Sequence, residues 1–325
     1  MHAAYIEQFG PPEAIRYGEL PDPEPGPTDV LVAVDAVAVN NVDTFVRSGA
    51  WRTPVPLPLV VGRDLVGTVL SAGPGAHRFR PGDRVWCNSL GHDGRQGAAA
   101  ERAVVPADRL YPLAPGADPL EVVAVAHGAA TAHLGLFPHG RLRAGETVVV
   151  IGAAGNVGGA AVVLAARAGA RVVAVAAGRD AGYCRALGAA EAVDRDGGDL
   201  AEALRAAAPD GVGLWLDAAG VNDLGLAVDL MARRGRAVLL AGMRTRPELP
   251  VGPLYLKDCS VHGFAISHAG TAELAGAAAA INRLTAEKAL SVRAVETLPL
   301  REAAAAHRRL EDGGVRGKLV LRTDT

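Results

Sequence analysis

Through the first third of the chain, apolar positions come in short runs interleaved with polar ones. Val30-Leu31-Val32-Ala33-Val34, Gly67-Thr68-Val69-Leu70, Arg84-Val85-Trp86-Cys87 and Ala103-Val104-Val105 are rich in β-branched and aliphatic residues and bounded by Pro, Gly and Asp. This pattern predicts an antiparallel, barrel-like sheet. Pro23-Glu24-Pro25-Gly26-Pro27 and Arg80-Pro81-Gly82-Asp83 read as turns, because Pro presets φ and Gly permits positive φ. Near residue 120 the texture changes, and Pro119 to Leu136 is helix-compatible. A buried-strand run, Thr147-Val148-Val149-Val150-Ile151, then leads through glycines into an Ala-rich helix, Val157 to Ala168. Strands at Arg171–Val175, Ala192–Asp194, Gly213–Asp217 and Ala237–Leu240 alternate with helices near Ala181–Leu187, Leu200–Ala208 and Leu224–Ala232. That alternation predicts a parallel sheet with right-handed crossovers. Helices near Thr271–Ala286 and Arg301–Leu310 and a last strand, Lys318–Leu321, complete the chain.

The length of 325 residues fits one large or two medium domains. The 33 Lys+Arg nearly balance the 35 Asp+Glu, so no general electrostatic case exists for a nucleic-acid or anionic-membrane partner. Cys87, Cys184 and Cys259 are far apart and odd in number, which excludes a disulfide framework and a CxxC metal ribbon. Cys87 and Cys259 are expected to be buried fillers. The opening Met1-His2-Ala3-Ala4-Tyr5-Ile6-Glu7 has no secretory-signal pattern, and no uninterrupted apolar stretch of spanning length is seen. A reduced, cytoplasmic, enzyme-sized protein is the expectation.

Chemistry first shows at Gly152-Ala153-Ala154-Gly155-Asn156-Val157-Gly158, between a strand and a helix. A tight turn there would deliver backbone N–H groups to a pyrophosphate at a helix N-terminus. Gly152 would make the turn, Gly155 would admit the diphosphate, and Gly158 would let helix and strand pack closely. A Gly-rich β–α loop without a cofactor is the alternative. Sites for NAD carry Asp or Glu at the end of the second strand, whereas Thr147 through Arg179 contains no acidic residue. The second strand ends Ala176-Ala177-Gly178-Arg179, which suits a 2′-phosphate and makes NADPH the expected cofactor. Asp180 next door weighs against it.

The layout resembles the medium-chain dehydrogenase/reductase superfamily, in its zinc-independent quinone oxidoreductase branch. The marks are Met1-His2-Ala3-Ala4-Tyr5, the stretch Val39-Asn40-Asn41-Val42-Asp43-Thr44-Phe45-Val46-Arg47-Ser48-Gly49, and Val61-Gly62-Arg63-Asp64-Leu65-Val66-Gly67. Phe79-Arg80-Pro81-Gly82-Asp83-Arg84-Val85, the glycine turn and Gly317-Lys318-Leu319-Val320-Leu321 complete the set. The resemblance implies an α/β chain in which a Rossmann-type doubly wound parallel-sheet domain, residues 121–262, is inserted into a GroES-like, mainly β substrate domain, residues 1–120 and 263–325. It implies an active site in the cleft, hydride transfer from NADPH to a quinone or an α,β-unsaturated carbonyl, and a homodimer. It places Asn40 at the nicotinamide pocket, Thr131 at the domain junction, and Phe45 and Trp51 over the substrate. Asp43 and His133 join the catalytic candidates. Ala218, Gly242 and Phe264 join Gly152, Ala153, Gly155, Asn156, Val157, Gly158, Gly178 and Arg179 as cofactor-binding candidates.

Plainer roles compete at several of these positions. Asn40 could be a turn residue, Trp51 core packing, His133 a packed helix residue, and Asp43 with Arg47 a local i,i+4 ion pair. Lys318, opening a final strand, reads as a solvated edge residue.

Zinc-dependent relatives carry Cys where this chain has Asn40, and His-Glu where it reads Arg63-Asp64. Arg63 cannot ligate zinc, because its guanidinium stays protonated. His127, His133 and His139 recur every six residues and do not share a helix face. No metal is expected, which favours reduction of an already polarised conjugated acceptor over alcohol oxidation. Two alternatives remain. An enoyl-thioester or biosynthetic tailoring reductase would use the basic cluster Arg233, Arg234, Arg236, Arg244 and Arg246, which otherwise is solvated charge. A non-catalytic NADPH-binding protein is the other.

Overall fold

The computed structural model describes residues 1–323. Its strands are β1 (His2–Ile6), β2 (Arg16–Glu19), β3 (Asp29–Ala38), β4 (Leu59–Val60), β5 (Asp64–Ala72), β6 (Arg84–Cys87), β7 (Arg102–Pro106), β8 (Tyr111–Pro112), β9 (Thr147–Ile151), β10 (Arg171–Ala176), β11 (Glu191–Asp194), β12 (Val212–Asp217), β13 (Met231–Leu239), β14 (Ser260–Gly263), β15 (Val295–Pro299) and β16 (Lys318–Arg322). Its α-helices are α1 (Asn41–Ser48), α2 (Pro119–Leu134), α3 (Asn156–Arg167), α4 (Ala181–Ala186), α5 (Leu200–Ala207), α6 (Leu224–Leu230), α7 (Val251–Leu256), α8 (Thr271–Ala286) and α9 (Ala303–Glu311). One compact unit comprises Met1–His127 with the chain from Leu274 onward, and the other is Gly128–Glu273. These boundaries fall inside the continuous helices α2 and α8, later in the chain than residues 120 and 262, where the sequence pattern changes.

The first unit carries a small antiparallel sheet, β2-β1-β4, and a larger one ordered β15-β16-β3-β5-β6-β8, with β7 also paired to β3. Alternation along β3 turns Val30, Val32 and Val34 into a core shared with Leu65, Val69, Val85, Leu319 and Leu321. Strand β16 lies between β15 and β3. Lys318 is therefore not an edge residue: its backbone is paired and its side chain is buried. Helix α1 is set by local chemistry. The Asp43 carboxylate accepts the Asn40 backbone N–H at 2.8 Å, half of a capping box, and Gly49 closes the helix at φ 75°. The i,i+4 pair of Asp43 with Arg47 does not form. Asp43 is committed to the helix start, while Arg47 Nη2 donates to Glu311 on α9 at 2.5 Å.

The second unit is the parallel sheet, β11-β10-β9-β12-β13-β14, with β9 at its centre and Val148, Val149 and Val150 fully buried. Strand β13 begins at Met231, within the segment expected to be helix. Its Arg-rich start reads as exposed, yet Arg236 folds inward, donating to the carbonyls of Gly140, Arg141 and Gly213 and to both Glu146 oxygens. Helix α7 and strand β14 lack a clear apolar period, since Gly252 and Pro253 interrupt the first and His262 the second. Among the described residues, the helical run Pro119–His139 is long and apolar enough to cross a membrane by length and composition alone. However, 72% of its apolar window is buried inside the protein, as in a core helix.

Candidate active site

In an open parallel sheet, ligands bind beyond the carboxyl ends of the strands. In the second unit most of the cofactor-binding candidates gather there. After β9, Gly152 turns at φ 77°, and the N–H groups of Gly152 and Ala153 both donate to Val175 O at 3.1 Å, tying the turn to β10. Gly155 is the N-cap of α3, whose first turn carries no acidic side chain, so the positive end of the helix dipole faces outward uncompensated. Asn156, Val157 and Gly158 form that first turn. A methyl group at Gly158 would lie 2.1 Å from Gly152 O, so close helix–strand packing is the reason for glycine there. Gly178 and Arg179 follow β10, and the Arg179 side chain is exposed.

Two further loops are held by a residue that sequence reasoning missed. The fully buried Asp217, at the end of β12, accepts from the backbone N–H groups of Ala219, Gly220 and Asn222 at 2.8, 2.7 and 2.5 Å. These bonds shape the loop that starts at Ala218. Asn222 Nδ2 then donates to Ala241 O at 3.0 Å, fixing the turn in which Gly242 sits at φ 85°. An Asp closing a buried strand before Ala-Ala-Gly was the available signal. Phe264 follows β14 and stacks on His139, with ring centroids 4.2 Å apart. Thr131 is buried on α2. His133 is half-buried and packs on Phe137 at 4.9 Å. Burial lowers its pKa, which keeps it neutral and favours packing over proton donation.

The first unit holds Asn40, Asp43, Phe45 and Trp51. Asn40 is a buried hub: its Nδ2 donates to Asp64 Oδ2 at 2.9 Å, and its Oδ1 accepts from Lys318 Nζ. Both ends of the amide are thus engaged within this unit. Burial pushes Asp64 up to about 7 against the pull of Lys318, and Asp43 up to about 6 against Arg63 and the Asn40 N–H. His127 Nδ1 lies 3.8 Å from Asp64 Oδ1, and burial together with Arg63 holds that imidazole neutral. Phe45 is exposed on α1, and its carbonyl accepts the Trp51 N–H at 3.0 Å. Trp51 is half-buried with its ring over the Arg63 guanidinium. Sequence reasoning used Arg63, Asp64 and Lys318 as marks of the resemblance, the first two also to argue against zinc and the third as a solvated edge residue, and named none of them as a site residue; a lysine opening an apolar, sheet-forming run was the missed signal. Cys87 is buried, and burial pushes its thiol up to about 11, consistent with a filler. Cys259 is only partly buried, its thiol directed at Ala232 O.

This architecture, a β-rich unit built from both ends of the chain and, inserted between them in the sequence, a parallel sheet with a glycine turn at its central strand, belongs to a known class. The chain is a member of the medium-chain dehydrogenase/reductase superfamily, in its quinone oxidoreductase-like branch. Residues 26–115 match the alcohol dehydrogenase GroES-like domain family, and residues 156–283 match the family described as zinc-binding dehydrogenase. Quinone oxidoreductase of Rattus norvegicus is 31% identical, over 99% of this chain and 97% of that protein. A solved NAD-dependent alcohol dehydrogenase superposes with TM-score 0.88 at 31% identity, covering 99% of each chain. A mycobacterial protein solved in complex with NADPH gives TM-score 0.83 at 28% identity, covering 99% of each chain. The protein is accordingly an oxidoreductase.

The zinc that one family description implies does not suit the residues present. By resemblance to zinc-dependent relatives, the metal ligands would fall at Asn40 and in the segment Gly62-Arg63-Asp64, and here Lys318 Nζ donates to Asn40 Oδ1. Arg63 has no lone pair to give. Among the described residues, no group of three or more His, Cys, Asp or Glu side chains converges.

Proposed function

We propose that the protein is an NADPH-dependent, metal-independent reductase of quinones or α,β-unsaturated carbonyls. The observation that carries this reading is the Lys318 ammonium seated on Asn40 where a ligand set would have to be. Without a strong Lewis acid, an acceptor whose C=C or C=O is already conjugated needs the least assistance. The likeness to a quinone oxidoreductase and to a protein that binds NADPH supports the same reading.

The nicotinamide cofactor fits the second unit: the Gly152–Gly158 turn and the start of α3 would hold the diphosphate, and the loops shaped by Asp217 and Asn222 would flank it. When bound, it supplies the hydride. Arg179, exposed after β10, would pair with a 2′-phosphate. One observation favours NADH as a second reading: the Asp194 carboxylate lies so close to Gly178 that a methyl group there would be 2.3 Å from Asp194 Oδ2. The thioester alternative loses part of its basic rim, because Arg236 is buried and Arg233 pairs with Asp258 at 3.0 Å. A homodimer belongs to the same proposal, with β14 at the edge of its sheet and exposed Val251, Tyr255 and Leu256 just before it. Light scattering on the purified protein is expected to give a dimer mass; a monomer mass would remove that part.

NADPH absorbance followed over quinones, enals, enones and enoyl thioesters, with and without chelator, tests the whole reading. Chelator-insensitive oxidation on one acceptor class is expected. Silence across the panel with NADPH bound would move the protein to a binding role. In the same assay, Arg179→Gln is expected to weaken NADPH by roughly tenfold, the size of one charge-assisted contact, and to leave NADH unchanged. An unchanged NADPH affinity would assign the cofactor to NADH.

A further inference from the structure

Arg63 sits between Gly62 and the first residue of β5, and it is 1% exposed. Its Nε and Nη2 meet no hydrogen-bond acceptor among the described residues. The contrast with Arg236 is instructive: that guanidinium, buried in the other unit, spends its N–H groups on Glu146 and three carbonyls. Unmet donors on a buried cation cost their full desolvation, and such groups in folded proteins are answered by a ligand or a water. Asp43 Oδ1 and Asp64 Oδ1 also meet no donor, so the unmet atoms belong to neighbouring groups whose charges act on one another. Trp51 stacks over the guanidinium, with Cζ 5.5 Å from the ring centroid. Trp51 is itself half-exposed, and its backbone N–H donates to Phe45 O at 3.0 Å. A flat ring beside a buried donor fork describes a conjugated molecule that carries an oxygen.

We infer that Arg63 binds the carbonyl oxygen of a conjugated acceptor, donating from Nε and Nη2 as that oxygen takes up negative charge, with Trp51 as the ring that covers the pair. The inference rests on the reductase reading and names the residue that polarises the substrate. In reduction of an enone, hydride adds at the β-carbon and the C=C electron pair shifts so that the carbonyl oxygen becomes an enolate oxygen. A proton from solvent then adds at the α-carbon and restores the C=O. A planar fork of fixed positive charge suits the enolate better than the neutral ketone, which is the requirement for lowering a barrier. The surrounding charges agree with it. Asp43 and Asp64 are both pushed towards their neutral forms by burial, while Lys318 and Arg95 add positive charge nearby.

The test begins without cofactor. trans-2-Hexenoate, a conjugated chain ending in an oxyanion, is titrated into the protein while tryptophan fluorescence is followed, with hexan-1-ol as the neutral control. Saturable binding of the carboxylate alone is expected, weakened at least tenfold in Arg63→Gln and less in Arg63→Lys. The fluorescence change is expected to vanish in Trp51→Phe, a substitution at a half-exposed position, which locates the event beside Arg63 even if Arg63→Gln does not fold. With NADPH present, Arg63→Gln is expected to lower kcat for an enone while the NADPH dissociation constant stays put, and added methylguanidine is expected to restore part of the rate in Arg63→Ala. No binding by the wild type, equal binding in wild type and Arg63→Gln, or an unchanged signal in Trp51→Phe would each overturn the assignment. Arg63-dependent binding with no acceptor reduced by the wild type would instead sink the reductase reading.

Discussion

Replacing Gly158 by alanine is expected to weaken binding of the nicotinamide dinucleotide by about 100-fold, the scale of a displacement of about 1 Å at a binding group. The added methyl would lie 2.1 Å from Gly152 O, 2.7 Å from Gly152 C and 2.9 Å from Ala153 Cα. All three are backbone atoms of the turn, so no side chain can rotate away. Relief requires α3 to lift off β9 or the turn to open, and either movement disperses the N–H groups at the start of α3. Overpacking of this kind also costs about 1–3 kcal/mol of stability. Gly155→Ala is the comparison: where the diphosphate is to approach closely, a methyl is expected to weaken binding as well, but without the cost in stability. Its methyl would meet only Gly152 O at 3.3 Å, and its backbone at φ −82° suits any residue. Fluorescence titration with NADPH, alongside thermal unfolding of both variants, separates the outcomes. Equal affinity in Gly158→Ala and wild type would show that the turn does not hold the diphosphate.

The contrast between these two glycines shows what a sequence discloses. The turn was legible because one strand, three spaced glycines and one helix lie consecutively in the chain, and local order carries their geometry. The alternating strands and helices around β9 were legible for the same reason. What escaped was assembled from distant positions. Asn40, Asp64 and Lys318 meet only because β16 enters between β15 and β3, bringing residues 278 positions apart into hydrogen-bond contact. A lysine at the start of a strand looks solvated until the neighbours of that strand are known. Asp43 and Arg47 show the opposite error. Their spacing suggested a pair on one helix, but a free backbone N–H at the helix start and Glu311 on α9 offered better partners. Arg236 escaped because its acceptors are mostly backbone carbonyls, which no sequence pattern marks.

Lys318→Met is expected to destabilise the first unit by about 3–5 kcal/mol at pH 8, the cost of removing one partner from a buried set of charges. Met preserves most of the volume, so the loss reports charge rather than a cavity. The pH dependence identifies the cause. Asp43 and Asp64 have folded pKa values of about 6 and about 7, raised from an ordinary value of 3.8. Between those limits the folded state holds more protons than the unfolded one, so stability falls as pH rises. Their contribution is full below about pH 4 and is lost through the folded values, near pH 6 to 7. Removing Lys318 takes away the strongest pull on Asp64 and raises its folded value further. The variant therefore continues to lose stability above pH 7, whereas in the wild type burial lowers the pKa of Lys318, a shift whose contribution rises with pH and opposes the loss. Urea unfolding at pH 5 and pH 8 is expected to show a small deficit at the lower pH and a large one at the higher. Asp64→Asn added to Lys318→Met removes the stranded carboxylate and is expected to recover more than half of the loss at pH 8. A deficit independent of pH, or a double variant no better than the single, would mean that Lys318 acts there as packing alone, with its charge irrelevant to the fold.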